Sequence, residues 1–335
     1  MNRDKKCPLL AKPSLDSEIY QAISTEEAGW NHLNFMARTM NSGQSWAGDT
    51  GENEYMFVLL GGNFLAETSA GTWKTSNGRK DVFSGLPHGL YLPPHTKFQI
   101  SPVGGLVDIA CGWCIANELF PAHFVTPDDV ESMGIEYRGG DNASRQINRL
   151  LPPGSAANKL VCVEVYTPSG NWSSFPAHKH DTRKTDPVTG ALTEASLEEM
   201  YFYKIDKPQG FAIQKVYTDD RSLDEIAEAH NNDVVLIPKG YHPVVAGHGY
   251  NVYYLNFLAG SDQSLASSDD PDHKWIYGTW KGVDPRIPIV TKEMNYDLGF
   301  RNWEFTNKML TIYFFGSWMQ AASCQQLYLK NANQI

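Results

Sequence analysis

Short apolar runs that end in proline or glycine set the limits on this fold. Leu90-Tyr91-Leu92 runs into Pro93-Pro94, and Val234-Val235-Leu236-Ile237 runs into Pro238-Lys239-Gly240. Each reads as a strand closing on a turn, because proline cannot continue a hydrogen-bonded ladder and glycine accepts tight turns. The 28 glycines and 19 prolines are spread along the chain. Between them lie further strand-like runs at 30–40, 55–60, 64–67, around Trp73, 98–100 and 106–110, then at 160–166, 200–205, 210–217 and 250–258. Runs at this spacing predict an all-β protein of sandwich or barrel type. Helix signals occur at Thr126-Pro127-Asp128-Asp129-Val130 and at Ser222. Glu225, three residues after Ser222, completes a capping box that predicts a short helix over 222–229.

The strand-into-proline rhythm in both halves points to a duplicated barrel, and 335 residues suit two domains. The break is expected at 140–155, where Leu151-Pro152-Pro153-Gly154-Ser155 interrupts regular structure. This predicts a first barrel domain over 1–150, with residues 1–20 as an arm within it, and a second over 151–290. Residues 291–335 show no pattern and stay an unassigned extension.

A net charge of −10 argues against a nucleic-acid partner but leaves room for a small anion held by one local cation. Cys7, Cys111, Cys114, Cys162 and Cys324 form no disulfide framework, which predicts a reducing, cytoplasmic location. Cys111-Gly112-Trp113-Cys114 has the CxxC form, but its flanks read as a strand and no redox helix follows. The N-terminus lacks an apolar signal core. The longest apolar run, 309–319, is too short to span a bilayer, so no membrane association is expected.

The chemistry concentrates in residues 175–242. His178 and His180 are two apart on an extended segment, so both rings point to one face. Glu198-Glu199 opens the next strand, and His242 follows the Pro238-Lys239-Gly240 turn. Three imidazoles and a carboxylate suit a divalent ion such as Zn, Mn or Fe, with positions left for substrate. Each piece also has a plainer reading. The His pair reads equally as polar side chains facing water, Glu198 as a rival to Glu199, and His242 as the cap of a turn.

The order His-x-His, Glu, proline–glycine turn, His resembles the two motifs of the cupin superfamily. Longer strings narrow the resemblance: Gly170-Asn171-Trp172-Ser173-Ser174-Phe175-Pro176-Ala177-His178-Lys179-His180-Asp181, Leu197-Glu198-Glu199-Met200-Tyr201-Phe202-Tyr203, Tyr217-Thr218-Asp219-Asp220-Arg221-Ser222-Leu223-Asp224-Glu225, Pro238-Lys239-Gly240-Tyr241-His242-Pro243 and Asp270-Pro271-Asp272-His273-Lys274-Trp275. They resemble the 5-deoxy-glucuronate isomerases of bacterial inositol catabolism, over about 20–290 and most strongly over 160–275. The resemblance implies a bicupin, two tandem jelly-roll barrels, with the metal in the C-terminal one. By analogy with the related 5-keto-4-deoxyuronate isomerases, it assigns the ligands to His178, His180, Glu199 and His242. Residues 181–198 separate the second His from the Glu by more than the general cupin motif allows, as is typical of this family. The first barrel lacks such a set, and structural roles are expected for His88 and His95.

The implied reaction is an aldose–ketose isomerisation of a small sugar acid, 5-deoxy-D-glucuronate to 2-deoxy-5-keto-D-gluconate. It needs a divalent metal ion and no nucleotide cofactor, and the chain has no Gly-rich dinucleotide loop. Candidate proton-transfer groups are Tyr201 and Tyr203, which share strand parity with Glu199, then Tyr241, and Tyr253 or Tyr254. Each reads equally well as a barrel-lining aromatic. Candidate substrate contacts are Arg221, Lys215, Lys239 and Arg183, with Arg221 equally suited to pairing with Asp219, Asp220 or Asp224. Gln214 and Lys215 have opposite parity, so at most one of them faces inward. A supporting role behind the ligands is open to Glu198 or Asp181. The competing readings are a cupin dioxygenase using Fe or Mn and a non-catalytic sugar-binding cupin. A homo-oligomer remains open.

Overall fold

Strands from four antiparallel sheets build two barrels in the computed structural model, which describes residues 1–14 and 16–296. The expected extension lies outside the described residues from 297 onward, as does the apolar run at 309–319. In the first barrel, one sheet has the order His123–Val125, Gly89–Leu92, Asn53–Gly61, Val107–Ile115, Asn34–Met40, Ile19–Ile23. It packs on a sheet of Trp46–Asp49, Lys97–Pro102, Phe64–Thr68 and Gly71–Lys74, with Phe57, Leu59, Phe64, Phe98 and Ile100 between them.

The second barrel carries a longer sheet: Asn2–Arg3, Leu10–Lys12, Val234–Ile237, Leu197–Ile205, Val252–Gly260, Val161–Thr167, Arg145–Leu151, Glu136–Arg138. Its partner sheet has the order Trp172–Ser173, Val244–Ala246, Ala212–Tyr217, Asp224–Ala229. The N-terminal arm reaches this second barrel, where Leu10 pairs with Val235. The chain changes barrels between Val125 and Glu136, and Leu151-Pro152-Pro153-Gly154-Ser155 closes the Arg145–Leu151 strand.

The crossing holds the helix Pro127–Ser132, with the capping box of Thr126 and Asp129 complete and Pro127 in the first turn. The helix expected over 222–229 does not form. Ser222 turns its amide and hydroxyl back onto Asp220, Arg221 takes φ +56°, and Asp224–Ala229 continues as a strand. Its burial alternates, with Ala227 and Ala229 inward. The apparent capping box is therefore a hairpin turn followed by a two-residue repeat.

The largest sheets of the two barrels share a seam. On Asn53–Gly61, Met56, Val58 and Leu60 face the seam, while Phe57 and Leu59 face the barrel interior. On Leu197–Ile205, Met200 and Phe202 face the seam, while Tyr201 and Tyr203 face inward. Both faces of these strands are buried, which explains why their central runs are apolar without alternation.

The two strands occupy equivalent registers. Tyr55 stands opposite Leu92 and Trp113, and Glu199 stands opposite Ile237 and Leu258. The residue before each is a carboxylate that reaches into the other barrel. Glu54 accepts the amides of Asn158, Lys159 and Leu160 at 2.7, 2.7 and 2.8 Å. Glu198 accepts those of Asn31, His32 and Leu33 at 2.6, 2.9 and 2.9 Å. A buried Arg79–Glu164 pair, 2.5 Å apart and bonded to Tyr166 and Tyr253, adds a third tie across the seam.

Cys111 and Cys114 lie on Val107–Ile115 with Cys111 in the first barrel's interior and Cys114 on the seam against Glu54. Burial pushes both thiols up, so the CxxC is structural. Among the described residues no helix is long and apolar enough to cross a membrane.

Replacing Glu54 by Gln turns one acceptor into an NH2 facing backbone N–H groups. We expect a loss of about 2–4 kcal/mol in urea unfolding. An unchanged midpoint would show that the contact adds nothing to stability.

Candidate functional site

Side chains at alternate positions on the inner face of the long sheet line a cavity of about 410 Å³. Leu197–Ile205 supplies Glu199 and Tyr201. Val252–Gly260 supplies Tyr254, Asn256 and Leu258, and Val161–Thr167 supplies Val163 and Val165. Arg145, Ile147 and Arg149 come from the next strand, and Glu136 and Arg138 from the last. His178 and Ser174 close the cavity from the segment ahead of the site.

At one end of the cavity His180, Glu199 and His242 converge, with their ligand atoms within 4.8 Å of one another. Glu199 Oε2 lies 2.9 Å from His180 Nε2 and 3.2 Å from His242 Nε2. Its other oxygen accepts from Asn256 Nδ2. Both imidazoles are oriented from behind. His180 Nδ1 is 3.1 Å from the Leu197 carbonyl and His242 Nδ1 is 2.8 Å from the Gly240 carbonyl. A proton on each Nδ1 leaves Nε2 with its lone pair toward the site, the arrangement of a metal-binding histidine. His242 Nε2 is buried and has no partner in hydrogen-bond geometry, so it presents an unsatisfied donor atom where a cation would sit.

Burial works to raise the Glu199 carboxyl, but His180 and His242 outweigh it and hold the group well below the usual carboxylate range. Burial works against a charge on His180, but Glu199 raises it. His178 is half-buried beside the triad and outside it, its ring 4.9 Å from that of His242 and nearly perpendicular. Burial, with His242 and Arg145 close by, holds His178 well below its ordinary value.

Glu198 and Glu199, alternatives in the sequence, point to opposite faces. Glu198 is committed to the loop amides of Asn31, His32 and Leu33. Asp181 Oδ1 accepts the Gly240 amide at 2.6 Å, in the turn that carries His242. The long His180-to-Glu199 interval folds back on itself. Leu197 donates its amide to the His180 carbonyl at 3.0 Å and accepts from the His180 ring. Glu194, not anticipated from the sequence, pins the fold-back by accepting from Asp181, Thr182, Lys184 and Ser268.

The other candidates separate. Tyr201 and Tyr254 line the cavity, with ring centroids 4.7 Å apart and hydroxyls near Ser174 and Ser173. Tyr203 faces inward but donates to Gln214 at 2.8 Å and does not line the cavity, and neither does Gln214. Tyr241 packs on Tyr217 and donates to Asp219, away from the cavity. Tyr253 is on the seam with Glu164. Lys239 is exposed, and Arg221 stacks 4.1 Å over Tyr217 near Asp224, so neither reaches the cavity. Lys215 pairs with Asp224, and Arg183 with Asp262.

The cations that do line the cavity are Arg138, Arg145 and Arg149, which sequence reading missed. The one available signal was the odd-numbered spacing of Arg145, Ile147 and Arg149 on a strand. In the first barrel His88 is buried against Phe124 and shifted to about 4 by burial and Arg79, while His95 is exposed near Glu52.

A family model described as the KduI/IolB family matches residues 9–276. A 5-deoxy-glucuronate isomerase from Geobacillus thermodenitrificans is 39% identical over 257 residues, 76% of this chain and 89% of that protein. One from Bacillus subtilis is 34% identical over 275 residues, 80% and 98% of the two chains. The crystal structure of an IolB-like protein from Salmonella typhimurium superposes with a TM-score of 0.74 at 36% identity, covering 80% of this chain and 98% of that one. Oxalate decarboxylase from Bacillus subtilis matches at a TM-score of 0.53 and 9% identity, a likeness of bicupin fold alone.

The turn carrying His242 depends on Gly240, which has φ +94° and a Tyr217 carbonyl 2.5 Å from where a Cβ would stand. Gly240→Ala should lower stability by about 2–4 kcal/mol, combining left-handed backbone strain with the clash. A variant melting with the wild type would overturn this account of the turn.

Proposed function

The chain belongs to the KduI/IolB family, and we propose that it is a metal-dependent isomerase interconverting 5-deoxy-D-glucuronate and 2-deoxy-5-keto-D-gluconate through an enediolate. The observation that carries this reading is the convergence of His180, Glu199 and His242 at one end of a cavity sized for a small sugar acid. Relatives named 5-deoxy-glucuronate isomerase support the substrate, since this chain covers almost their whole length.

His180, Glu199 and His242 would hold the divalent ion, with His178 beside them as the fourth ligand. When bound, the ion supplies positive charge next to the carbonyl and its neighbouring hydroxyl, which acidifies the intervening C–H. Isomerisation then requires one proton to move between adjacent carbons and another between their oxygens, with no net redox change. Burial, reinforced at Tyr201 by the Glu199 charge, pushes the Tyr201 and Tyr254 phenols up, so both stay protonated at neutral pH. They therefore act as hydrogen-bond donors to substrate oxygens, and not as ready-made bases. Ile147, Val163, Val165 and Leu258 give the cavity an apolar wall that limits water around the reacting carbons. The four described cysteines are unpaired, which suits a reducing cytoplasm.

Incubation with 5-deoxy-glucuronate under nitrogen, followed by NMR, should show conversion to the ketose. Stripping the metal with a chelator should reduce the rate on the order of 10²-fold or more. His242→Ala and His178→Ala should lose both metal and activity. Oxygen uptake without isomerisation would establish the dioxygenase alternative, and full metal content in either variant would rule out this ligand set.

A further inference from the structure

Three arginines line the cavity, but only one is uncommitted. Glu136 holds Arg138 at 2.6 Å and Arg149 at 2.8 Å, and Arg149 also reaches the Met133 carbonyl. Arg145 is 5% exposed, and among the described residues its guanidinium has no hydrogen bond and no ion pair. It borders the main cavity and also a narrower one of about 120 Å³ that continues past His178, His180 and Glu199 toward Trp280. Burial lowers its hold on the proton, and its charge is felt at Tyr254 and Tyr201 on the same wall and at His178.

A buried guanidinium with no carboxylate in contact is unfavourable on its own and has its five donors unused. A carboxylate entering the cavity would relieve that cost through a two-pronged, charge-assisted contact. We propose that Arg145 anchors the carboxylate of the sugar acid, so that the aldehyde end of the molecule faces His180, Glu199 and His242. This rests on the reading of the protein as a sugar-acid isomerase and adds to it the residue that selects an acid over a neutral sugar. The neutral walls at Val163, Val165 and Ile147 offer the carboxylate no competing cation.

The test compares wild type, Arg145→Gln and Arg145→Lys on 5-deoxy-glucuronate and on its C6 alcohol, 5-deoxyglucose. D-glucuronate binding is followed separately by ligand-observed NMR on the metal-loaded proteins. Arg145→Gln should raise KM for the acid by about 10- to 100-fold and collapse the wild-type preference for acid over alcohol. Arg145→Lys should recover part of it. Metal content should hold, and the Gln variant should melt no lower than wild type, because no protein partner loses its counter-charge. An equal loss on acid and alcohol, or an unchanged KM, overturns the anchor. If wild type turns over neither sugar, glucuronate binding that disappears in Arg145→Gln supports the anchor while refuting the isomerase. Binding that is indifferent to Arg145 refutes the anchor itself.

Discussion

Burial of both faces of the Leu197–Ile205 strand is the constraint on which the rest of the site depends. One face packs into the seam through Met200 and Phe202, and the other lines the second barrel through Glu199, Tyr201 and Tyr203. Neighbouring strands fix the register, with Glu199 between Ile237 and Leu258. A slip of one residue would send Glu198 into the cavity and Glu199 onto the loop amides, exchanging the places of the two carboxylates. The apolar seam makes that slip costly, because it would also turn Met200 and Phe202 into the cavity and two tyrosine hydroxyls into the seam. The position of the carboxylate among the histidines is thus set by the packing of the barrels.

Much of this was legible because strand parity is a local property. The His178–His180 pair and the opposition of Gln214 and Lys215 were read from alternation, and Glu199 from the family resemblance; in the structure Glu199 and Tyr201 line the cavity together, and Gln214 is buried where Lys215 is not. Parity gives the face but not the depth. Tyr203 and Gln214 point inward as read, yet they bond to each other beyond the cavity wall. Lys239 and Arg221 sit in the most recognisable strings, but those strings encode turns. Arg221 occupies a left-handed position and Lys239 an exposed one. Their residue types are visible in the sequence, whereas the direction of a turn side chain depends on the strands it joins.

The parts that escaped the sequence are those assembled from distant segments. Arg145 lies on a strand read as a linker, and only the order of the long sheet brings it across from Glu199. Glu194 has no motif of its own and acts through four partners on two segments. The helix expected at 222–229 fails for a related reason. Its capping signature was genuine in composition, but Asp220 captured Ser222 first, and the alternation of Ala227 and Ala229 met an inward-facing partner strand. Where local propensity and a sheet edge compete over six residues, the sheet's shared hydrogen bonds prevail.

The matched registers make the first barrel informative about the second. Tyr55 holds the place of Glu199, and Trp46, Phe57, Phe98 and Trp113 pack with it in edge-on, stacked or tilted pairs at centroid spacings of 5.1 to 6.0 Å. That interior is closed by aromatic side chains at the level where the other barrel opens a cavity. What the two barrels keep in common is the preceding carboxylate, Glu54 or Glu198, each holding a loop of its neighbour. The shared feature is therefore the clasp, and among the described residues the His180–Glu199–His242 cluster belongs to one barrel. An ordered site needs rigid support, and the first barrel supplies it by filling its own core and gripping the strand that carries Glu199.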